Sequence, residues 1–120
     1  MRRTIFPVLL LATAVSGVGL AETPPSAENG KVVFNKWCVY CHGAGPPAAS
    51  GAPPLPGTAA LGVKYKGKLP ALLEERSDLA PDFVRTVVRG GLFGMPISRK
   101  TEISDDELAD VIAYLTRAKH

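Results

Sequence analysis

Two thiols and an imidazole fall within five consecutive residues, Cys38-Val39-Tyr40-Cys41-His42, in a chain of 120 residues that holds no further cysteine. Upstream, Gly30, Val33, Phe34, Trp37, Cys38 and Cys41 recur at three- and four-residue spacings, which predicts a helix from about Ser26 that ends in the motif. Residues three apart on a helix share a face one turn apart, so the two thiols stand side by side and His42 follows directly beneath. Whatever the chain folds into must serve that pair.

Three chemistries use paired thiols. A structural zinc site needs about four nitrogen or sulfur ligands, and beyond Cys38, Cys41 and His42 the chain offers only His120. A redox-active dithiol belongs at the start of a helix after a strand in a βαβ unit, whereas this pair closes a helix in a chain without strand signals. Covalent haem attachment requires Cys-x-x-Cys-His: thiols one turn apart can bond the two vinyl groups along one edge of the macrocycle, and the next residue then lies under the iron. The motif favours one haem c per chain, held through Cys38 and Cys41, with His42 as axial ligand.

The N-terminus agrees with that chemistry. "MRR" supplies a basic start, an apolar run follows, and Gly19-Leu20-Ala21 is a small-x-small cleavage site, the pattern of a secretory signal peptide over residues 1–21. A retained membrane anchor is the alternative, opposed by Pro7, Gly17 and Gly19 within the apolar stretch. Export would place the protein in the bacterial periplasm, where exposed thiols do not stay reduced. The chain has 14 basic and 11 acidic residues; loss of Arg2 and Arg3 leaves 12 against 11, a net charge of +1, which gives no case for nucleic acid. Residues 22–120 then form one small domain, of a size at which a cofactor helps to complete the core.

The rest of the chain reads as all-α, with three to five helices wrapped around the haem. Residues 42–62 carry so much Pro, Gly and Ala that no regular element is expected there, and "VKYK" reads as extended loop. "LPALLEER" should form a short helix behind Pro70. In "PDFVRTVVRGG", Pro81 opens a helix, Asp82 faces its positive end and Gly90-Gly91 stop it. "SDDELADVIAYLTRAKH" begins with a Ser104/Glu107 capping box, and Leu108, Val111, Ile112 and Leu115 form its apolar stripe. Loops as long as those between these helices need something internal to order them, and a large apolar disc would do so.

A sixth iron ligand has to come from elsewhere in the chain, if there is one. Beyond Met1, Met95 is the single methionine. It sits between Gly94 and Pro96, and the proline biases it toward extended geometry, so a loop can project its thioether inward. The bland alternative is a methionine filling a core gap. His120 competes for the position, but it is terminal.

These residues resemble those of class I monohaem cytochromes c: Gly30 and Phe34 ahead of Cys38-x-x-Cys41-His42, then Met95-Pro96, then the final helix with Leu108, Val111, Tyr114 and Leu115. The resemblance implies the small cytochrome c fold, with the first and last helices crossing closely at Gly30 near Tyr114. It implies a role for Pro53 as well. "APPLPG" at residues 52–57 stands where the family has a Gly-Pro-x-Leu-x-Gly segment, whose proline carbonyl accepts a hydrogen bond from the ligand histidine and orients it; Ala52 replaces the family's glycine. More narrowly, residues 64–96 are similar to the cytochrome subunits that pair with flavoproteins of the p-cresol methylhydroxylase kind. That likeness implies a flavin-containing dehydrogenase acting on alkylphenol-type substrates as electron donor, with electrons passed on toward the respiratory chain.

With His42 and Met95 both on iron, the metal is saturated, and the function is one-electron transfer between Fe(III) and Fe(II), not bond chemistry. If Met95 instead stays in the core, an open iron would suit a gas sensor or a peroxide-active enzyme. A freely diffusing carrier serving another oxidoreductase is the remaining alternative. Trp37 and Tyr40 flank the cysteines and, with Lys64, Lys66 and Lys68, are candidates for a docking face; a packed Trp37 and a simply solvated lysine cluster are the plainer readings.

Overall fold

A computed structural model of the chain describes residues 23–118. The signal-peptide expectation and His120 lie outside the described residues. The described residues form five α-helices and two 3-10 turns and no β-strand, so the fold is all-α, as expected.

The first helix, α1 (Ala27–Trp37), is capped by Ser26, whose side chain accepts from the Asn29 amide at 3.2 Å. The Ser26 amide in turn donates to Asp110 Oδ1 at 2.6 Å. That bond ties the start of α1 to the last helix, α5 (Asp105–Thr116). The α5 capping box forms: Glu107 N donates to Ser104 Oγ at 3.1 Å and Ser104 N to Glu107 Oε2 at 2.7 Å. Three acidic residues, Asp105 to Glu107, then face the positive end of the dipole.

The two helices cross at Gly30, where a Cβ would fall 1.9 Å from the Asp110 carbonyl oxygen and 2.8 Å from Tyr114 Cβ. Glycine allows the backbones to touch. Phe34 then stacks at a tilt on Tyr114, with 5.7 Å between ring centres. Phe34, Leu108 and Val111 are fully enclosed, and burial of each such side chain contributes about 2 kcal/mol.

A third helix on this core, α4 (Pro81–Gly90), begins on Pro81 and contributes Val84 and Val88. Its glycine stop falls at Gly91, which has φ +72°. Ile103 completes the cluster from the loop ahead of α5.

Two expectations are corrected. Residues 56–65, read as irregular loop and "VKYK" extension, form a ten-residue helix, α3 (Pro56–Tyr65). Pro56 sits in its first turn, where a missing N–H costs nothing, and no further proline follows before Pro70. Lys66 in the left-handed conformation and Gly67 then end it. "LPALLEER", by contrast, closes only a 3-10 turn at Leu73–Glu75. Its anchor is a hydrogen bond from the Tyr114 hydroxyl to Glu74 Oε1.

Candidate functional site

The cysteine segment follows α1 with a break at Cys38, whose φ of −108° ends that helix and opens the one-turn helix α2 (Val39–His42). The amides of Cys41 and His42 both donate to the Cys38 carbonyl, at 3.1 and 2.9 Å. The motif is therefore wound as a single turn, with both sulfurs free of disulfide. Cys38 is half-buried and Cys41 exposed. Burial, and next the neighbouring Cys41, push the Cys38 thiol up to about 11. A catalytic dithiol has the opposite shift, toward thiolate. Among the described residues no three His, Cys, Asp or Glu side chains converge as a metal-binding group.

His42 is placed by α3. Gly57, in the first turn of that helix, lies so close that a Cβ would fall 2.7 Å from His42 Cε1 and 2.8 Å from both Nδ1 and the Cys41 carbonyl oxygen. One residue on, the buried Thr58 hydroxyl donates to the Gly43 carbonyl at 2.8 Å. Together they clamp α3 onto α2. The helix missed in the sequence is thus the element that seats the histidine, and its one advance signal was a first-turn proline ahead of a proline-free run.

Burial lowers the His42 pKa from 6.5, which keeps the ring neutral and its lone pair available to a metal. Nδ1 is buried, faces Gly57 and has no hydrogen-bond partner, the Pro53 carbonyl included. Pro53 itself is exposed, in the extended run ahead of α3. With Nδ1 turned into the protein, Nε2 is the nitrogen left for a ligand bond.

Met95 is half-buried and packs against the same core cluster as Cys38 and Val39. It closes a tight turn with Leu92: Met95 N donates to Leu92 O at 2.9 Å and Leu92 N to Met95 O at 3.2 Å. At the tip, Phe93 takes φ +52° and is fully exposed. Gly91 is required beneath the turn, since a Cβ there would fall 2.8 Å from the Met95 carbonyl oxygen.

Arg89 fixes both ends of this loop, a role the sequence reading missed. Nη1 donates to the carbonyls of Ser98 and Ile103 at 3.0 and 2.9 Å, and Nη2 to the Ser104 carbonyl and Asp105 Oδ1 at 3.2 and 2.9 Å. Ser98 N closes onto the Val88 carbonyl at 2.8 Å.

Of the candidate docking residues, Trp37 and Tyr40 are both exposed, so Trp37 is not packed beneath the last helix. Lys64, Lys66 and Lys68 gather at the far end of α3 and just beyond it, all exposed. Lys36 lies over the Trp37 ring and Lys64 over the Tyr65 ring, at 5.0 and 5.2 Å.

An all-helical domain that follows its first helix with Cys-x-x-Cys-His, seats the histidine with one nitrogen turned inward and brings one methionine to the edge of the same core is a cytochrome c domain. Residues 25–115 match the family described as cytochrome c oxidase, cbb3-type, subunit III, and the chain belongs to that family. No curated protein and no solved structure matches the chain. Membership makes it an electron-transfer haem module, with haem c as its cofactor and other redox proteins as its partners. No described helix is long and apolar enough to cross a membrane.

The site fits that cofactor on its own terms. The donor set is two free thiols one turn apart and a neutral imidazole, and the orphaned Nδ1 is the atom that a ligand histidine commits to an acceptor.

Proposed function

We propose that the protein is an exported one-electron carrier in which Cys38 and Cys41 hold one haem c by thioether bonds, with His42 Nε2 and Met95 Sδ as its axial ligands. When bound, the haem supplies reversible Fe(III)/Fe(II) chemistry. The observation that carries the reading is the single turn Cys38–His42, with free thiols and a neutral ring seated against Gly57.

Each residue has a defined task. The two thiols prevent loss of the group from a domain whose own core is small. Gly57 and Thr58 set the angle of the His42 ring. Met95 would hold the iron through a soft thioether, which would favour the reduced state. Arg89 holds the loop that delivers it.

The donor we infer is a flavoprotein dehydrogenase acting on alkylphenol-type substrates, with the cytochrome passing electrons toward the respiratory chain in the periplasm. What supports it is the likeness of residues 64–96 to the cytochrome subunits of such flavocytochromes. Trp37, Tyr40 and the Lys64/Lys66/Lys68 cluster form the docking face in this reading, and their exposure supports that assignment.

Three experiments test it. Protein exported by a host that attaches c-type haem should stay coloured after denaturation in acid acetone; loss of colour would remove the thioether assignment. Native extraction should bring down a flavin-containing subunit in a stable complex; elution as a lone monomer would favour a freely diffusing carrier. Charge reversal at all three lysines should lower the rate with that partner in a salt-dependent way, and an unchanged rate would remove the docking role.

A further inference from the structure

The turn that carries Met95 is built against its own sequence. Leu92 and Met95 exchange both backbone hydrogen bonds, so Phe93 and Gly94 are the two central residues of a tight hairpin turn. Phe93 takes a positive φ of 52° and Gly94 does not. One positive φ, at the first central position, is the type II′ pattern, which asks for glycine at that position. The chain has its glycine one place later and a bulky aromatic where the glycine belongs. Such a residue is strained there, and strain of this kind collects where a chain has a use for the side chain.

That use is not in the fold. Phe93 is 95% exposed, so it adds nothing to the core and its ring stands in water. Leu92 and Ile97 extend the apolar surface, at 40% and 52% exposure. Ile97 lies at the base of the turn, its Cγ2 only 3.3 Å from where a Cβ on Gly91 would fall. Cations flank this surface. The bond from Ser98 N to the Val88 carbonyl seats the next residue, Arg99, beside α4, which carries Arg85. Both arginines are exposed, and neither is in an ion pair among the described residues. The carboxylates that follow are engaged. Glu102 Oε2 accepts from the Arg99 amide at 2.8 Å, Asp105 accepts from Lys100 and Arg89, and Asp106 and Glu107 face the positive end of the α5 dipole.

We propose that Phe93 is the anchor by which the reduced protein docks on its electron acceptor, a protein that offers an apolar socket bordered by carboxylates, with Leu92 and Ile97 lining the contact and Arg85 and Arg99 meeting the carboxylates. The inference rests on the haem reading above, and it adds a second contact face to the one assigned to the donor around Trp37, Tyr40 and the lysines. Phe93 stands two residues from Met95, so a partner seated on it lies beside the loop that delivers an iron ligand. A single aromatic side chain in a partner's pocket carries a large share of binding, while the aliphatic residues around it exclude water. A contact this small suits a transient redox encounter. A second copy of the chain fits less well, since it would bring two cationic surfaces together.

The test is oxidation of the reduced, haem-loaded protein by bacterial membranes that contain an active terminal oxidase, followed as oxygen uptake. Phe93→Gly should slow it about tenfold, with the visible spectrum and midpoint potential of the parent and a urea midpoint equal to or above the parent's, because glycine relieves the turn. Phe93→Tyr should keep the parent rate to within about threefold, and Arg99→Glu should slow uptake most at low salt. Uptake unchanged in Phe93→Gly, or a parent that the membranes do not oxidise, would overturn the proposal. So would a slower rate accompanied by a lower urea midpoint or an altered spectrum, which would make Phe93 a residue of the fold. Phe93-dependent sedimentation of the parent with protein-free phosphatidylglycerol vesicles would assign the patch to lipid, and a Phe93-dependent dimer would assign it to a second copy; either overturns the acceptor contact. If the parent carries no covalent haem, the functional reading itself fails, an outcome visible before any variant is made.

Discussion

The His42 ring lies directly against the backbone of Gly57, at a distance that leaves no room for a side chain: a Cβ would stand 2.7 Å from Cε1. Gly57→Ala must therefore turn the imidazole or push α3 away from α2. Overpacking of this kind costs about 2 kcal/mol, and the altered ring angle should change the iron's visible spectrum. Gly62→Ala on the same helix is the contrast, since its Cβ would meet only Ala71, at an ordinary 3.8 Å. It should leave stability unchanged or raise it by about 0.5 kcal/mol through helix propensity. Urea midpoints of the two variants check the difference, and equal midpoints would contradict the contact.

The crossing of α1 and α5 is more demanding still. Gly30→Ala places a methyl 1.9 Å from the Asp110 carbonyl oxygen, backbone that cannot yield as a flexible side chain can. The expected loss is about 3 kcal/mol or more, a large fraction of a small domain's stability. Chemical denaturation of the haem-loaded protein measures it, and a loss within about 0.5 kcal/mol, the range of an ordinary surface change, would mean that the helices do not cross at this residue.

Arg89→Met keeps the aliphatic stem and removes the four hydrogen bonds that anchor the Met95 loop. Loss of bonds to a charged donor should cost about 2 kcal/mol. The loosened loop should also let carbon monoxide compete with Met95 in the reduced protein. Carbon monoxide titration of the variant against its parent reports this directly, and identical resistance in both would show that the loop holds without Arg89.

Asp105 accepts from Lys100 Nζ at 2.6 Å and from Arg89 at 2.9 Å, and first Lys100, then Arg89, hold its carboxyl below the ordinary 3.8. Because the folded value lies below the unfolded one, the unfolded chain binds the proton first as pH falls. The contribution is therefore complete above about pH 3.8 and is lost as pH falls through the depressed folded value. Since Asp105 is solvent-accessible, the effect should be small and should shrink in salt. Asp105→Asn should flatten this part of the acid limb in thermal melts; a parent-like slope would remove Asp105 as its source.

Much of this arrangement was legible in the sequence where a single residue type carries a single physical consequence. The Ser104/Glu107 box, Pro81 ahead of α4, and Gly30 opposite Tyr114 each act locally or through one close contact, and each stands where the sequence puts it. Helix α3 was not legible because Pro53, Pro54, Pro56, Gly57 and Gly62 weigh against helix when read by composition. In the fold Pro56 opens that helix and Gly57 makes room for His42. The anchoring by Arg89 and the burial of Arg76 depend on partners 9 to 16 residues away, or across the fold, and leave no periodic trace. The 70–76 segment failed as a helix because a short run gains little from propensity without packing, and Glu74 is held by Tyr114 instead.

The measurement closest to the central claim is the visible spectrum, oxidised and reduced, of the protein exported by a host able to attach c-type haem. Ligation by His42 and Met95 predicts a sharp low-spin reduced spectrum, a far-red sulfur-to-iron band in the oxidised form, and no change under carbon monoxide. A high-spin spectrum that shifts when carbon monoxide is added would contradict the account, leaving Met95 as a core residue and the iron open to small ligands.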